Sequence, residues 1–343
     1  MDIAMQFTFT GPPLTRRDAK EVVELAAMAD DCGLHTIGTG DTGVRLSEAA
    51  SRVTMLALGA RRCFVGMRPT NPWTRDPQLA AALLTTVDAI TDGHAFVEVA
   101  TGDSSVASVG RKPASRARLE EYVRCIRGLL SVGEAPFDGR TIRCFPERAT
   151  TARISVGAEG PKMLHLAGRI ADAVSIGTGL TADVVEDSLA RVRAGALDEG
   201  RSADAVEPWF TVRSYLHADP RVARQRLLPS LASILHHSMR AGVEGRHVPE
   251  RHRAAIGEFV AGYALADHQR SGGGNEELMT RLGLADFAYQ RWGLAGDADG
   301  WVERLQQLHA AGVRRVWLAN RGTVAEVRDS LRQFGDEVLP RLR

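Results

Sequence analysis

The chain has 343 residues, 44% of them hydrophobic and 25% charged, with 43 Lys and Arg against 42 Asp and Glu. A core of this size needs no disulfide scaffold, and a formal charge of +1 argues against nucleic acid or an acidic membrane surface as a partner. No apolar run reaches the roughly 18 residues of a membrane span. Met1-Asp2-Ile3-Ala4-Met5-Gln6 has neither a basic segment nor a long apolar one, so the expected location is a bacterial-type cytoplasm.

Short strand-like and helix-like runs alternate along the chain. Ile3–Phe9 reads as a strand. Thr15–Cys32 reads as an amphipathic helix, with Val22, Val23, Leu25, Ala26 and Ala29 at helical spacing and Gly33 as its stop. Strands are expected next at Thr36–Thr39, Cys63–Met67, Ala95–Ala100, Ile154–Val156, Ala173–Ile176, Trp209–Leu216 and Val313–Ala319. The helices between them are expected at 47–58, 78–90, 116–130, 163–170, 184–196, 222–239 and 301–311, with a last one over 324–342. Eight strands, most followed by a helix, predict a parallel sheet with crossover helices. The count points to one closed (β/α)8 TIM barrel over residues 1–343, with its chemistry on the loops at the carboxyl ends of the strands. An open doubly wound sheet is the rival, and no Gly-x-Gly-x-x-Gly follows the first strand to support it.

Two segments break the rhythm. Residues 133–152 hold Gly and Pro and suggest a small hairpin around Asp138-Gly139. Residues 240–296 are longer and more polar, and include His247, His252, His268 and the run Ser271-Gly272-Gly273-Gly274-Asn275. An insertion of this length at the carboxyl face of a barrel is expected to be a lid or binding loop. Cys32, Cys63, Cys125 and Cys144 match no zinc or redox spacing and each lies in an apolar stretch, so buried free thiols and no metal site are expected.

Residues 154–179 carry the strongest chemical signal. Two short apolar strands flank one compact helix, and both strands end in small residues. Gly157-Ala158-Glu159-Gly160-Pro161 runs straight into the helix, with Pro161 in its first turn. A helix N-terminus free of side chains binds anions, and Gly177-Thr178-Gly179 repeats the small-residue pattern one strand later. A phosphorylated ligand across adjacent strand tips is the implied occupant. The earlier tips, Gly38-Thr39-Gly40-Asp41-Thr42, Arg68–Arg75 and Thr101-Gly102-Asp103-Ser104-Ser105, are likewise rich in small and hydroxyl residues.

These tips carry a family resemblance. Thr70-Asn71-Pro72-Trp73-Thr74-Arg75-Asp76-Pro77, Ala100–Ser105 with Gly110-Arg111-Lys112-Pro113-Ala114 and Leu119-Glu120-Glu121-Tyr122, the block Gly157–Asp172, and Val338-Leu339-Pro340-Arg341-Leu342 follow one another in a characteristic order. They resemble the bacterial-luciferase-like superfamily. More narrowly, they resemble the branch with methylenetetrahydromethanopterin reductase and the deazaflavin-dependent glucose-6-phosphate dehydrogenase. The resemblance spans nearly the whole chain and is weakest across 240–290.

The resemblance implies a barrel with its insertion over a cofactor, either coenzyme F420 or reduced FMN. With F420 the chemistry would be hydride transfer on a small organic substrate. With reduced FMN it would be monooxygenation by C4a-peroxide chemistry. A non-catalytic flavin-binding protein is a further alternative, and a redox-free phosphosugar enzyme another. By match, Asp41 and Thr42 would sit at the polar edge of the ring, and Thr101, Gly102 and Asp103 along the ring or its side chain. Ala158, Glu159, Gly160 and Pro161 would take the phosphate or ribityl chain, with Lys162, Gly177 and Thr178 beside them. Asp41, Thr42 and Asp103 are the candidate catalytic residues. Arg68, Pro69 and Thr70 would form the bulge behind the ring, with a cis Arg68–Pro69 peptide. Relatives with hydride chemistry have Asp-His where this chain has Asp41-Thr42, and Thr is no general base near neutral pH. His236, His237, His247, His252 and His268 are the candidate replacements. Glu159 is expected to point away from the phosphate or to pair with an Arg. Trp73 and residues 240–296 would shape the substrate pocket. A separate reductase supplying the reduced cofactor and a homodimer complete the expectation.

Overall fold

The computed structural model describes residues 1–10, 14–43, 47–144, 150–268 and 270–342. The chain runs β1 (Asp2–Phe9), α1 (Arg16–Cys32), β2 (Thr36–Thr39), α2 (Ala49–Gly59), β3 (Phe64–Thr70), α3 (Pro77–Ile90), β4 (Ala95–Val99), the single turn α4 (Ser104–Ala107) and α5 (Arg116–Val132). A hairpin of β5 (Glu134–Phe137) and β6 (Arg140–Arg143) follows, then β7 (Arg153–Ala158), α6 (Pro161–Ile170), β8 (Ala173–Ile176), α7 (Ala182–Asp198), β9 (Glu207–Leu216) and α8 (Pro220–Met239). The remainder is α9 (Glu250–Gly262), α10 (Gly274–Arg281), α11 (Ala285–Trp292), β10 (Gly293–Gly296), α12 (Ala298–Ala310), β11 (Arg315–Gly322) and α13 (Val324–Gln333).

Strands β1, β2, β3, β4, β7, β8, β9 and β11 pair in parallel in that circular order, with β11 returning to β1, so the barrel is closed. The expected eight strands are these eight. Local chemistry sets the element ends. Thr15 and Asp18 form a reciprocal capping box at the start of α1, and Gly33, at φ 84°, closes that helix in the left-handed conformation its missing Cβ allows.

Side chains fill the barrel in layers. The floor is apolar and aromatic, built from Ala4, Phe96, Ala173, Trp209 and Trp317. Gly66 makes room for it: a Cβ there would fall 1.8 Å from the Phe96 carbonyl oxygen. Above the floor the interior turns polar, with Gln6, Arg68, Glu98, Ser175 and Thr211 in mutual contact.

Two expectations on elements are corrected. The segment 240–296 is not a loop: it holds α9, α10, α11 and β10, and packs with α8 around its own core of Leu231, Leu235, Ile256, Phe259, Met279 and Trp292. Strand β10 pairs alongside the outer half of β9, Gly293 with Arg213 through Gly296 with Leu216. Its Gly-Leu-Ala-Gly sequence offers no alternation to read. The last helix is not continuous to 342, because α13 passes into a π-helical turn at Phe334–Val338 and a 3-10 turn at Leu339–Leu342. The hairpin around Asp138-Gly139 is present as β5 and β6, while 145–149 of that excursion lie outside the described residues. The cysteines are free thiols, Cys63 and Cys125 buried and Cys32 and Cys144 half-buried. Among the described residues no helix is long and apolar enough to cross a membrane.

Candidate active site

A cavity of about 730 Å3 opens at the carboxyl ends of the barrel strands. Its lining includes Asp41, Thr42, Arg68, Pro69, Thr70, Thr101, Gly102, Asp103, Ala158, Glu159, Gly160, Pro161, Lys162 and Gly177, so the structure brings together these sequence-predicted residues. Thr178 does not join them. Its hydroxyl bonds to Ser188 at 2.8 Å and its carbonyl accepts from Arg291. Trp73 is also outside the lining, packed under the guanidinium groups of Arg111 and Arg118.

The Arg68–Pro69 peptide is cis, and the pairing of β3 with β4 skips between Met67 and Thr70 at this point. The strand therefore delivers Thr70 beside Asp41: the Thr70 hydroxyl donates to Asp41 Oδ2 at 2.7 Å, and Arg75 Nε donates to the same oxygen at 3.0 Å. The tip of β2 is braced from behind by Arg52, wholly buried, whose guanidinium donates to Thr39 Oγ1 and to the Gly40 carbonyl. Burial lowers the Arg52 pKa to about 10 against the pull of Asp41 and Glu48.

At the base of the cavity Arg68 and Glu98 form an ion pair, Nε to Oε2 at 3.2 Å. Arg68 also donates to Gln6 Oε1 at 2.6 Å and Thr211 Oγ1 at 2.7 Å, and stacks over Trp317. Burial pushes the Glu98 carboxyl up and the Arg68 guanidinium down, and each opposes the shift in the other. Arg213, two residues beyond Thr211 on β9, is different. Its Nε is buried with no hydrogen-bond partner and, among the described residues, its guanidinium has no ion-pair contact. Burial lowers its pKa, partly offset by Glu159 across the cavity.

The glycine-rich turn behaves as its sequence suggests at one end and differs at the other. Among the described residues no side chain caps α6 at Gly160. Arg246 lies against the turn: it donates to the Glu159 carbonyl, and its Nη2 is 3.0 Å from where a Cβ on Gly160 would stand. Among the described residues the Glu159 carboxylate forms no ion pair with an Arg. Its Oε2 accepts from Ser238 Oγ at 2.9 Å and lies 3.2 Å from His237 Nε2.

His237 reaches the cavity from the last turn of α8, and its other nitrogen, Nδ1, lies 2.8 Å from Asp103 Oδ2. Arg240, one turn on, donates to Asp103 Oδ1 at 2.6 Å. Burial works against charge on His237, yet Glu159 and Asp103 outweigh it and raise its pKa above the ordinary value. Burial also opposes the Asp103 charge, but His237 and Arg240 hold that carboxyl far below the usual range. Of the other candidate histidines, His268 lines the cavity with Tyr263 OH at 2.8 Å from its Nδ1. His236 stacks on Tyr263, His247 sits beside Asp183 and Asp187, and His252 packs on Phe287.

Sequence reasoning missed Gln6, Glu98, Thr211, Arg213, Arg240 and Arg246, all in the lining. For Thr211 and Arg213 a signal existed: the period-two alternation of Trp209-Phe210-Thr211-Val212-Arg213 points every other residue inward. Arg240 and Arg246 had none, because the insertion gives no period to count from.

The model of the luciferase-like monooxygenase family matches residues 1–315. Among curated proteins the chain is similar to 5,10-methylenetetrahydromethanopterin reductase of Archaeoglobus fulgidus, at 27% identity over 85% of this chain and 87% of that protein. It is also similar to the F420-dependent glucose-6-phosphate dehydrogenase of Nakamurella multipartita, at 26% identity over 94% and 92%. Its fold matches the coenzyme F420 dependent tetrahydromethanopterin reductase of Methanopyrus kandleri, with a TM-score of 0.75 at 20% identity over 100% and 99% of the two chains. The chain belongs to the luciferase-like monooxygenase family.

Proposed function

We propose that this protein is an oxidoreductase that moves a hydride between coenzyme F420 and a small organic substrate at the barrel mouth. The observation that carries this reading is one cavity that joins the Arg246-backed turn Gly157–Pro161 to the hydroxyl- and carboxylate-bearing tips of β2, β3 and β4. Two of the similar proteins are named for their dependence on coenzyme F420. The residues fit such a group. The volume lies within the roughly 300–1,000 Å3 of small-molecule sites, any side chain on Gly160 would press on the Arg246 guanidinium beside the turn, and the buried Arg213 Nε has no hydrogen-bond partner among the described residues.

When bound, the deazaflavin supplies or accepts the hydride. The protein supplies position and electrostatics. The uncapped start of α6, with Lys162 and Arg246, would hold the phosphate. Asp41, Thr42, Thr70 and Thr101, with Pro69 at the bulge of β3, would hold the ring. Arg213 gives the base of the cavity a positive charge with no ion-pair partner among the described residues, which favours a substrate bearing an anionic or strongly polarised oxygen. Asp103, paired with Arg240 and held far below the usual carboxylate range, acts as a fixed anion rather than a proton carrier, and Asp41 is held in place by Arg75.

Adding F420 and FMN separately and following fluorescence quenching tests the reading; no binding of either at micromolar concentration overturns it. Reduced-FMN monooxygenation is the second reading, favoured by the description of the matching family. Oxygen uptake in step with turnover decides for it. A reductase that supplies the reduced cofactor and a homodimer belong to the same proposal. Light scattering after size exclusion tests the dimer.

A further inference from the structure

Glu159 places a carboxylate inside the turn assigned above to the cofactor's phosphate, where a bare negative charge would repel it. Among the described residues its ion pair is with His237. Arg246 approaches the turn but gives a nitrogen to the Glu159 carbonyl rather than to its carboxylate. We propose that His237 is a positioning residue whose proton cancels the Glu159 carboxylate and so sets the affinity of the Gly157–Pro161 turn for an anionic phosphate or phosphodiester group. The inference rests on that turn being the phosphate site.

The charges around the imidazole make the effect specific to Glu159. His237 faces Asp103 from the β4 tip and Glu159 from β7, with Arg240 and His236 from its own helix nearby. Asp103 has a second cation, Arg240, at 2.6 Å and keeps it when His237 loses its proton. Glu159 then keeps the Ser238 hydroxyl, a neutral donor, and the more distant Arg213, Arg68 and Arg246. Deprotonation of His237 therefore uncovers a negative charge at one place, the anion turn. The sign follows. The pKa of His237 is raised, so the imidazolium persists above the ordinary value of about 6.5 and is lost as pH rises through the raised one. Anion affinity is full below that point and falls above it. Linkage requires the converse as well: an anion bound at the turn raises the pKa of His237 further.

The test is binding of oxidised F420 and, separately, FMN to the full chain, by fluorescence quenching from about pH 6 to about pH 9. It compares wild type, His237→Gln, Glu159→Gln and the double variant. Comparison at each pH removes titration of the ligand itself. We expect wild-type affinity to fall roughly tenfold across the range, about the effect of one uncovered charge. Glu159→Gln should bind with no such fall, His237→Gln should bind weakly at every pH, and the double variant should return to the Glu159→Gln level. The His237 ring signals in NMR should titrate at a raised pKa in wild type and nearer the ordinary value in Glu159→Gln. Equal pH slopes in wild type and Glu159→Gln, or wild-type affinity in His237→Gln, overturn the inference alone. Absence of binding to any variant at any pH overturns the site reading and the inference with it.

Discussion

Arg68 and Glu98 meet where the barrel interior changes from apolar to polar, with side chains 5% and 4% exposed. Two charges so far from water stabilise the fold only as a pair. Glu98→Gln should cost about 3–5 kcal/mol, because it leaves the Arg68 guanidinium buried without its counter-charge. Replacing both, as Arg68→Met with Glu98→Leu, should recover most of the loss, and urea unfolding of the three variants measures it. Gly160→Asp tests the other end of the cavity. The new carboxylate would stand against Arg246 and over the start of α6, so F420 or FMN affinity should vanish while the melting temperature stays within a few degrees. At this scale the sequence was readable where a residue type announced its role. Gly157–Pro161 and Asp41-Thr42 were legible as strand tips, and both line the cavity. Glu98 announced nothing, since a single carboxylate in Ala95–Ala100 acquires meaning only from Arg68, thirty residues earlier and one strand away.

Among the elements, α8 and the segment after it form the wall that turns a barrel mouth into a cavity. Arg291 of α11 fastens that segment to the barrel. It is 2% exposed and donates to the carbonyls of Thr178, Arg246 and His247 at 2.9, 2.6 and 3.2 Å. Arg291→Leu leaves the buried Thr178 carbonyl and two partly buried carbonyls short of a donor and should cost about 3 kcal/mol. Hydrogen exchange should quicken in 240–262 before it quickens in the barrel strands. The end of α8 is fastened separately, through Asp103. That carboxylate is held far below its usual range, so its contribution is present above the ordinary carboxylate pKa and is lost only as pH falls through the depressed value. The contact with Glu159 weakens at the opposite end, as His237 gives up its proton. Cavity closure, read from the fluorescence of the nearby Trp292, should therefore loosen in strong acid and on the alkaline side, with a plateau between. Helix periodicity located α8 to within two residues at its start. It could not show that this helix ends on two strand tips, because that contact depends on how the following segment folds back, and the Gly/Ala-rich strand β10 that guides it has no pattern of its own.

For the whole molecule, the count of strands was enough. Eight alternations specify a closed barrel because each crossover must be right-handed and each strand must find two neighbours. The sequence also shows which end holds the cavity, since small residues gather at strand ends rather than starts. What it could not show is the shape of the interior. Phe96, Trp209 and Trp317 look like ordinary strand hydrophobes, and only closure of the sheet turns them into one layer across the barrel. That layer lies beneath the polar side chains Gln6, Arg68, Glu98, Ser175 and Thr211 at the base of the cavity, so two ligands that share the cavity stack one above the other. Whichever compound rests over Arg68 and Arg213 has to arrive before, and depart after, the one that spans the rim between Asp41 and Gly160. Steady-state turnover should accordingly be strictly ordered, with a dead-end analogue of the deeper ligand competitive against that ligand alone.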